Sequence, residues 1–179
     1  MPGFKQINEQ DIAFFESILP KERVLAGEQI NEDFTRDEMT EYGTFDPGVV
    51  LTVMSAQEVS QVLAYCNQHN IPVTPRGAGT GLCGGCVAIY GGVVLDLGQM
   101  KRLVEVDPIN MTATVEPGLM LMEFNKMLEG TGLFYPPDPG EKSATVCGNI
   151  MTNAGGMRAV RYGVTRDYVL GMQVVLADG

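Results

Sequence analysis

Residues 74–85 read TPRGAGTGLCGG, with five glycines among the nine positions from Gly77 to Gly85. The stretch follows Ile71 and Val73, is stiffened at its entry by Pro72 and Pro75, and leads into the apolar residues Val87 and Ile89. Glycine has no Cβ, so successive backbone N–H groups can turn toward one point and the peptide planes can approach a ligand closely. In a rigid apolar frame such a loop is expected to hold an anion, a phosphate above all, rather than to act as a flexible spacer.

The kind of phosphate loop follows by elimination. Gly79–Gly84 satisfies GxGxxG, but the dinucleotide fingerprint also needs a helix after the glycines and an acid about twenty residues on. Here the glycines run into CVAIYGGVVLDL, a strand pattern whose first acid, Asp96, comes too early. A nucleoside triphosphate loop is excluded because no Gly-Lys-Ser/Thr triplet closes the motif. What remains is a site of backbone donors, with Arg76 expected as the one cation at its rim.

Composition sets the frame. The chain has 179 residues, is 45% hydrophobic and carries a formal net charge of −10. That length supports a substantial core in one domain or slightly more. The negative charge argues against nucleic acid and anionic lipid as partners, yet it leaves room for an anion site built from amides. No apolar run is long enough to span a membrane, and the first ten residues lack the pattern of a signal peptide, so a soluble, cytoplasmic protein is expected.

Four cysteines and one histidine are present. Cys83 and Cys86 form CGGC, but no second cysteine pair and no further histidine complete a zinc set, so no metal site is expected. A redox CxxC would open a helix that lowers the thiol pKa, whereas this one precedes a strand pattern. The pair therefore reads as small packing residues. His69 reads as a solvated helix cap.

Along the chain, Asn8–Leu19 predicts an amphipathic helix capped by Asn8 or Asp11 and stopped by Pro20. Glu22–Asp46 reads as an acidic, loop-rich lead-in. Pro47–Val53 predicts a strand, and Ser55–Asn70 a helix opened by a Ser55/Glu58 capping box. Short strands are predicted over Gly92–Leu97, Leu103–Asp107 and Thr112–Glu116. A helix follows over Leu119–Glu129, with Met120, Phe124, Met127 and Leu128 as its core face. Tyr168–Asp178 predicts a last strand.

The second informative stretch is FYPPDPGEKSATVCGNIMTNAGGMRAVRYG, residues 134–163. Pro136, Pro137 and Pro139 impose an extended path around Asp138, and Gly148, Asn149, Asn153, Gly155 and Gly156 supply small residues and amides at close spacing. Two glycine-rich loops in one domain could grip a long ligand at two points.

Together, PRGAGTGL at 75–82, PPDPGEKSATVCGNIMTNAGG at 136–156, RYGVTRDYVLGMQVVLADG at 161–179 and PGVVLTVMSAQEVSQVLAYCNQHNIPV at 47–73 resemble the FAD-linked oxidases of the vanillyl-alcohol oxidase superfold. The likeness is to the branch of the glycolate oxidase catalytic subunit and D-lactate dehydrogenase, and it runs from Pro47 onward. It implies an α+β, PCMH-type FAD-binding domain of two subdomains with the flavin between them, the second incomplete here. On that reading 1–46 is an N-terminal helix and lead-in, and 47–179 is the FAD-binding domain.

The same resemblance assigns residues. Arg76, Gly77, Ala78, Gly79, Thr80 and Gly81 would wrap the FAD pyrophosphate with backbone amides. Pro137, Asp138, Ser143, Gly148, Asn149, Thr152 and Asn153 fall where relatives hold the flavin and ribityl portion. Cys147 stands where many relatives have glycine, and its thiol is expected to crowd the cofactor. Members that tether FAD covalently commonly place a histidine where this chain has Thr80, so the FAD is expected to be non-covalent.

In such an enzyme a small D-2-hydroxy acid, D-lactate or glycolate, gives its Cα hydrogen as hydride to flavin N5, and electrons pass on to an acceptor or an electron-transfer subunit. Family members continue past Gly179 into a cap and a C-terminal substrate segment. The expectation is therefore a truncated gene product, a split subunit or a shortened chain. No catalytic residue is assigned in it; Arg161, Tyr162 and Arg166 stay unassigned. The rival reading is a non-catalytic FAD-binding module.

Overall fold

The computed structural model describes residues 3–179, apart from the side chain of Tyr42. The chain forms two compact units, one comprising the residues up to Gln99 together with Val174–Gly179, the other Met100–Gln173.

The first unit is built on a four-stranded sheet of order β1-β2-β4-β3. Strands β2 (Val49–Thr52), β4 (Val93–Asp96) and β3 (Val73–Arg76) run parallel, and β1 (Val24–Ala26) pairs antiparallel with β2. Strands buried on both faces read as unbroken apolar runs. The VVL triplets at 49–51 and 93–95 show this, with all six side chains at 3% exposure or less. At about 1.5–3 kcal/mol for each Val or Leu fully buried, these six outweigh any single ion pair in fixing the sheet. β3 is an edge strand, which is where a strand tolerates Pro75 and its missing N–H.

Helix α1 (Glu9–Ile18) is capped by Asn8, whose side chain accepts from the amides of Gln10 and Asp11 while Asp11 accepts from the Asn8 amide. Asp11 is fully buried, and Lys5 and the Tyr65 hydroxyl also donate to it. Burial pushes its carboxyl up, but these donors outweigh burial and hold it below the usual range. Tyr65, desolvated and bonded to that carboxylate, is pushed up to about 12.

Helix α2 (Ala56–His69) follows β2, with the Ser55 hydroxyl accepting from the Glu58 amide at 3.2 Å. Only half of the expected capping box forms. The Glu58 carboxylate accepts instead from the Met54 amide at 2.7 Å and takes Arg23 in a two-pronged ion pair, 2.9 Å on each side. Its pKa is lowered; burial opposes, and Arg23 with the Met54 amide prevails. Asn70 ends the helix in the left-handed region at φ 55°.

The lead-in differs from expectation in one respect. Most of it is loop and short 3-10 turns, but Val24–Ala26 pairs with Val49–Leu51 as β1. Three residues are too few to show a period, and β1 exists because β2 offers it an edge. Also contrary to expectation, residues 83–92 contain no strand; they form turns, with Val87 and Ala88 buried and Ile89 exposed, and the strand begins at Val93.

The second unit holds the hairpin of β5 (Leu103–Asp107) and β6 (Thr112–Val115), then α3 (Leu121–Met127), α4 (Val146–Thr152) and α5 (Ala159–Tyr162). Its core gathers Leu119, Phe124, Leu128 and Val146, with Tyr135 and Ile150 packed on them. The expected core face of α3 is half right. Phe124 and Leu128 are buried, but Met120 and Met127 are 37% and 47% exposed, and Leu121 lies inside instead.

The strand expected over 168–178 is not formed. Thr165–Tyr168 is a 3-10 turn, and 169–176 has no hydrogen-bonded partner strand among the described residues. Leu170, Met172, Val174 and Leu176 alternate as a strand would, yet all are exposed. No helix among the described residues is long and apolar enough to cross a membrane.

Candidate functional site

In the first unit the glycine loop leaves the carboxyl end of β3, the end of a parallel sheet at which open α/β folds place ligands. Among the described residues, the amides of Gly77, Ala78, Gly79, Thr80 and Gly81 donate to no protein acceptor. None of these five residues is buried, so their amides are open to the oxygens of a ligand. Gly79 sits at φ +78°, and a Cβ there would run into the Arg76 guanidinium.

Arg76 itself is not at the rim. It is 6% exposed; Nη2 donates to the Asp33 carbonyl at 2.6 Å, and Nη1 to the carbonyls of Arg36 at 2.9 Å and Cys86 at 3.4 Å. Its guanidinium also stands 5.6 Å from the Phe34 ring centroid. The expected surface cation is thus a buried one that ties the lead-in to the loop from behind. Its charge still reaches the loop amides, through protein rather than through water.

Asp37 is the second tie. It is 6% exposed, and its two oxygens accept from the Met39 amide at 2.9 Å and the Gly84 amide at 2.7 Å, while the Glu38 amide donates to the Gly81 carbonyl at 3.1 Å. Sequence reasoning missed Asp33, Arg36 and Asp37. The available signal was the charged run NEDFTRDE around the lone aromatic Phe34, and two of the three residues act through main-chain carbonyls, which no side-chain pattern records.

In the second unit, the extended 134–139 path buries Pro137 and Asp138. Asp138 accepts from Lys142 at 2.6 Å and the Gly140 amide at 3.3 Å, and Arg158 stands 3.6 Å away. The Lys142 bond is the chief reason its carboxyl lies below the usual range. With Tyr135 and Pro137 these groups line a cavity of about 230 Å³, below the roughly 300–1,000 Å³ of whole-ligand pockets. Room for part of a cofactor is what it offers.

The remaining expected residues sort by what already satisfies them. The Ser143 hydroxyl donates to Glu141, the Thr152 hydroxyl to the Gly148 carbonyl, and Asn153 Oδ1 accepts from the Arg166 amide. Gly148 donates to the Thr145 hydroxyl in capping α4. Asn149 differs: it is 4% exposed and its Nδ2 has no partner among the described residues. A buried amide left unpaired costs about 1–3 kcal/mol, which a bound acceptor would remove. Gly156, at φ +131°, presses against the Asp138 carbonyl where a Cβ could not fit.

Of the cysteines, Cys66 is buried, Cys83 exposed, and Cys86 and Cys147 intermediate; all are free. Cys83 is therefore not the packing residue expected. Burial pushes the Cys66 thiol to about 12 and raises that of Cys147. His69 ends α2 with its ring 4.1 Å from that of Tyr65. No cluster of three metal-ligating side chains occurs among the described residues.

In the second unit, taken by itself, the unpaired Asn149 Nδ2 is open to an acceptor on a ligand, and in the first the free amides of the glycine loop fit a phosphate-bearing cofactor. Comparison with known proteins names it. The chain is 50% identical to the D-lactate dehydrogenase of Anaerostipes hadrus over 176 residues, which is 98% of this chain and 37% of that protein. It is 47% identical over 134 residues to the glycolate oxidase subunit GlcD of Bacillus subtilis, covering 74% of this chain and 28% of that one. A probable mitochondrial D-2-hydroxyglutarate dehydrogenase of rice matches at 38% over 99% of the chain, again spanning 32% of the relative. The chain thus spans about a third of the length of these relatives.

Among solved structures, an alkyldihydroxyacetonephosphate synthase superposes with a TM-score of 0.87 at 17% identity, over 100% of this chain and 35% of that one. A p-cresol methylhydroxylase superposes with a TM-score of 0.71 at 24% identity, over 85% and 31%. These likenesses establish the α+β fold of the vanillyl-alcohol-oxidase type. Residues 47–179 match the model of the FAD binding domain, and the chain belongs to that family of FAD-binding oxidoreductase domains.

Proposed function

We propose that the amides of residues 77–81, with the Arg76 guanidinium behind them, take the diphosphate of FAD, and that Pro137, Asp138, Ser143, Gly148, Asn149, Thr152 and Asn153 contact its flavin and ribityl portion. The run of unpartnered amides from Gly77 to Gly81 carries this reading. Backbone dipoles backed by the Arg76 guanidinium favour a diphosphate without a lysine at the surface. In the second unit the Asn149 Nδ2–H is the donor with no other task. Ser143 and Thr152 contribute shape and carbonyl placement, since their hydroxyls are already engaged.

The FAD is held without a covalent bond, because Thr80 offers no imidazole and His69 lies in α2, its ring tilted 38° against that of Tyr65. We further propose that the whole protein is a dehydrogenase of a small D-2-hydroxy acid, D-lactate or glycolate, as the names of its relatives suggest. Bound FAD would supply the hydride acceptor. This chain's part is to bind and orient it. No base is assigned among the described residues, and the second reading is that this chain alone binds FAD without turnover.

Titration of the purified chain with FAD, with ADP as competitor, tests the binding reading. Saturable binding with ADP competition is the expected result, and flavin leaving the polypeptide intact on a denaturing gel is expected for non-covalent attachment. Absence of saturable binding overturns the assignment. Bleaching of the bound flavin by D-lactate or glycolate would overturn the reading of this chain as binding alone.

A further inference from the structure

Beyond its free amides, the glycine loop carries two thiols in unequal surroundings. Cys83 is exposed and Cys86 half-buried. Between them lie Gly84, at φ +70°, and Gly85, where an added Cβ would meet nothing within 4 Å. The two cysteines are three positions apart, and no side chain stands on the backbone between them to resist the turn that a disulfide needs. Cys86 lies inside a turn closed by the Val87 amide on the Gly84 carbonyl at 3.1 Å, and Cys83 stands immediately before it in a bend.

The same four residues anchor the loop to its clamp. Cys86 Sγ and the Cys86 carbonyl both accept from Arg76 Nη1, at 3.4 Å each, and the Gly84 amide donates to Asp37 Oδ2 at 2.7 Å. A bond between the two sulfurs would act on both anchors.

We propose that Cys83 and Cys86 form a thiol–disulfide exchange site for a low-molecular-weight disulfide such as oxidised glutathione, and that its closure loosens the loop's hold on a diphosphate. The loosening rests on the FAD reading above; the exchange does not. In the first step the Cys83 thiolate attacks one sulfur of the incoming disulfide, whose S–S bond breaks, giving a mixed disulfide and one free thiol. In the second, Cys86 gives up its proton and attacks the Cys83 sulfur, breaking the mixed disulfide and releasing the second thiol. The protein dithiol loses two electrons and two protons, and the small disulfide is reduced to two thiols.

The order follows from access. Cys83 meets solvent, whereas burial raises the Cys86 thiol, with Asp37 adding to that and Arg76 opposing it. Cys86 is thus the resolving sulfur. Its transfer to Cys83 removes the sulfur from Arg76 and encloses Gly84 in a small ring, so the Asp37 bond to the Gly84 amide is displaced.

The folded chain, incubated with oxidised glutathione and no FAD, provides the test. Mass spectrometry is expected to find the 83–86 peptide lighter by two hydrogens, with Cys66 and Cys147 unchanged and the far-UV circular dichroism unaltered. Cys86→Ser should stop at a glutathione adduct on Cys83, and Cys83→Ser should give no product at either site. Survival of both thiols under conditions that oxidise a small dithiol, or equal modification of Cys66, overturns the exchange site. In the second arm the oxidised chain is expected to bind FAD about tenfold more weakly than the reduced chain, with recovery on reduction and no change for Cys83→Ser. Equal affinities overturn the loosening. Failure of the reduced chain to bind FAD overturns the FAD reading and the loosening with it, while the exchange stands or falls on the masses.

Discussion

Replacing Arg76 separates a buried clamp from a ligand at the rim. The two short bonds, to the Asp33 carbonyl at 2.6 Å and the Arg36 carbonyl at 2.9 Å, have a charged donor and are each worth about 1.5–3 kcal/mol. The contact with the Cys86 carbonyl, at 3.4 Å, adds little. Against their sum stands the cost of burying a guanidinium that has no carboxylate within ion-pair distance among the described residues, a cost of several kcal/mol for an isolated ion. Arg76→Met removes that cost along with the bonds, so of their sum of about 3–6 kcal/mol a net loss of about 1–2 kcal/mol remains. At roughly 2–4 °C per kcal/mol for a chain of this size, the melting temperature should fall by roughly 5 °C. Arg76→Lys keeps the charge and one of the bonds, and about half the loss is expected. The assay is thermal unfolding by circular dichroism with no FAD present. If Arg76→Met melts within about 2 °C of the parent and loses FAD affinity that Arg76→Lys restores, Arg76 is a ligand and the clamp argument is wrong.

Gly79→Ala forces a Cβ into the Arg76 guanidinium at a left-handed φ of +78°, and a loss of about 2–3 kcal/mol in urea unfolding with weakened FAD binding is expected; an unchanged unfolding midpoint would contradict the close approach. Asn149→Leu removes a buried amide that has no partner. The FAD-free chain should therefore keep its stability or gain about 1 kcal/mol, while FAD titration shows a weaker complex; unchanged affinity would remove Asn149 from the site. Asp11, Glu58 and Asp138 all have carboxyls held below their usual range in the fold. Their contribution is complete above the unfolded-state values of about 4 and is lost as pH falls through the lowered folded-state values. Acid titration by far-UV circular dichroism should thus show unfolding below about pH 4, and Asp11→Asn should make stability less steep in that limb; an identical slope for the variant would refute the assignment.

What could be read from the sequence was whatever a single element decides by itself. The VVL triplets announce doubly buried strands because their surroundings are apolar on both faces. Asn8 and Ser55 announce helix starts because a cap acts within one turn. The glycine loop was legible because missing Cβ atoms are a property of the residues themselves. Features that depend on a partner were not. β1 is three residues long and exists through its pairing with β2. Residues 169–176 keep the alternation of a strand but lack a ladder among the described residues, so the pattern was right and the structure was not. On α3 the periodicity placed Met120 and Met127 with Phe124, and the helix instead buried Leu121.

The position of Arg76 follows the same division and explains how so acidic a chain can hold an anion. A guanidinium at the surface of a molecule with net charge −10 would be drawn to its own carboxylates. Buried against three carbonyls, it cannot swing to a carboxylate, and the low-dielectric surroundings that make its burial costly also carry its field to the Gly77–Gly81 amides. Asp37 limits that field, since its carboxylate lies behind the same loop on the Gly84 amide. The loop is thus tuned by a buried cation and a buried anion that both bond to main chain. Its orientation therefore resides in residues 33–37, whose side chains and carbonyls set the loop's shape from outside the glycine motif itself.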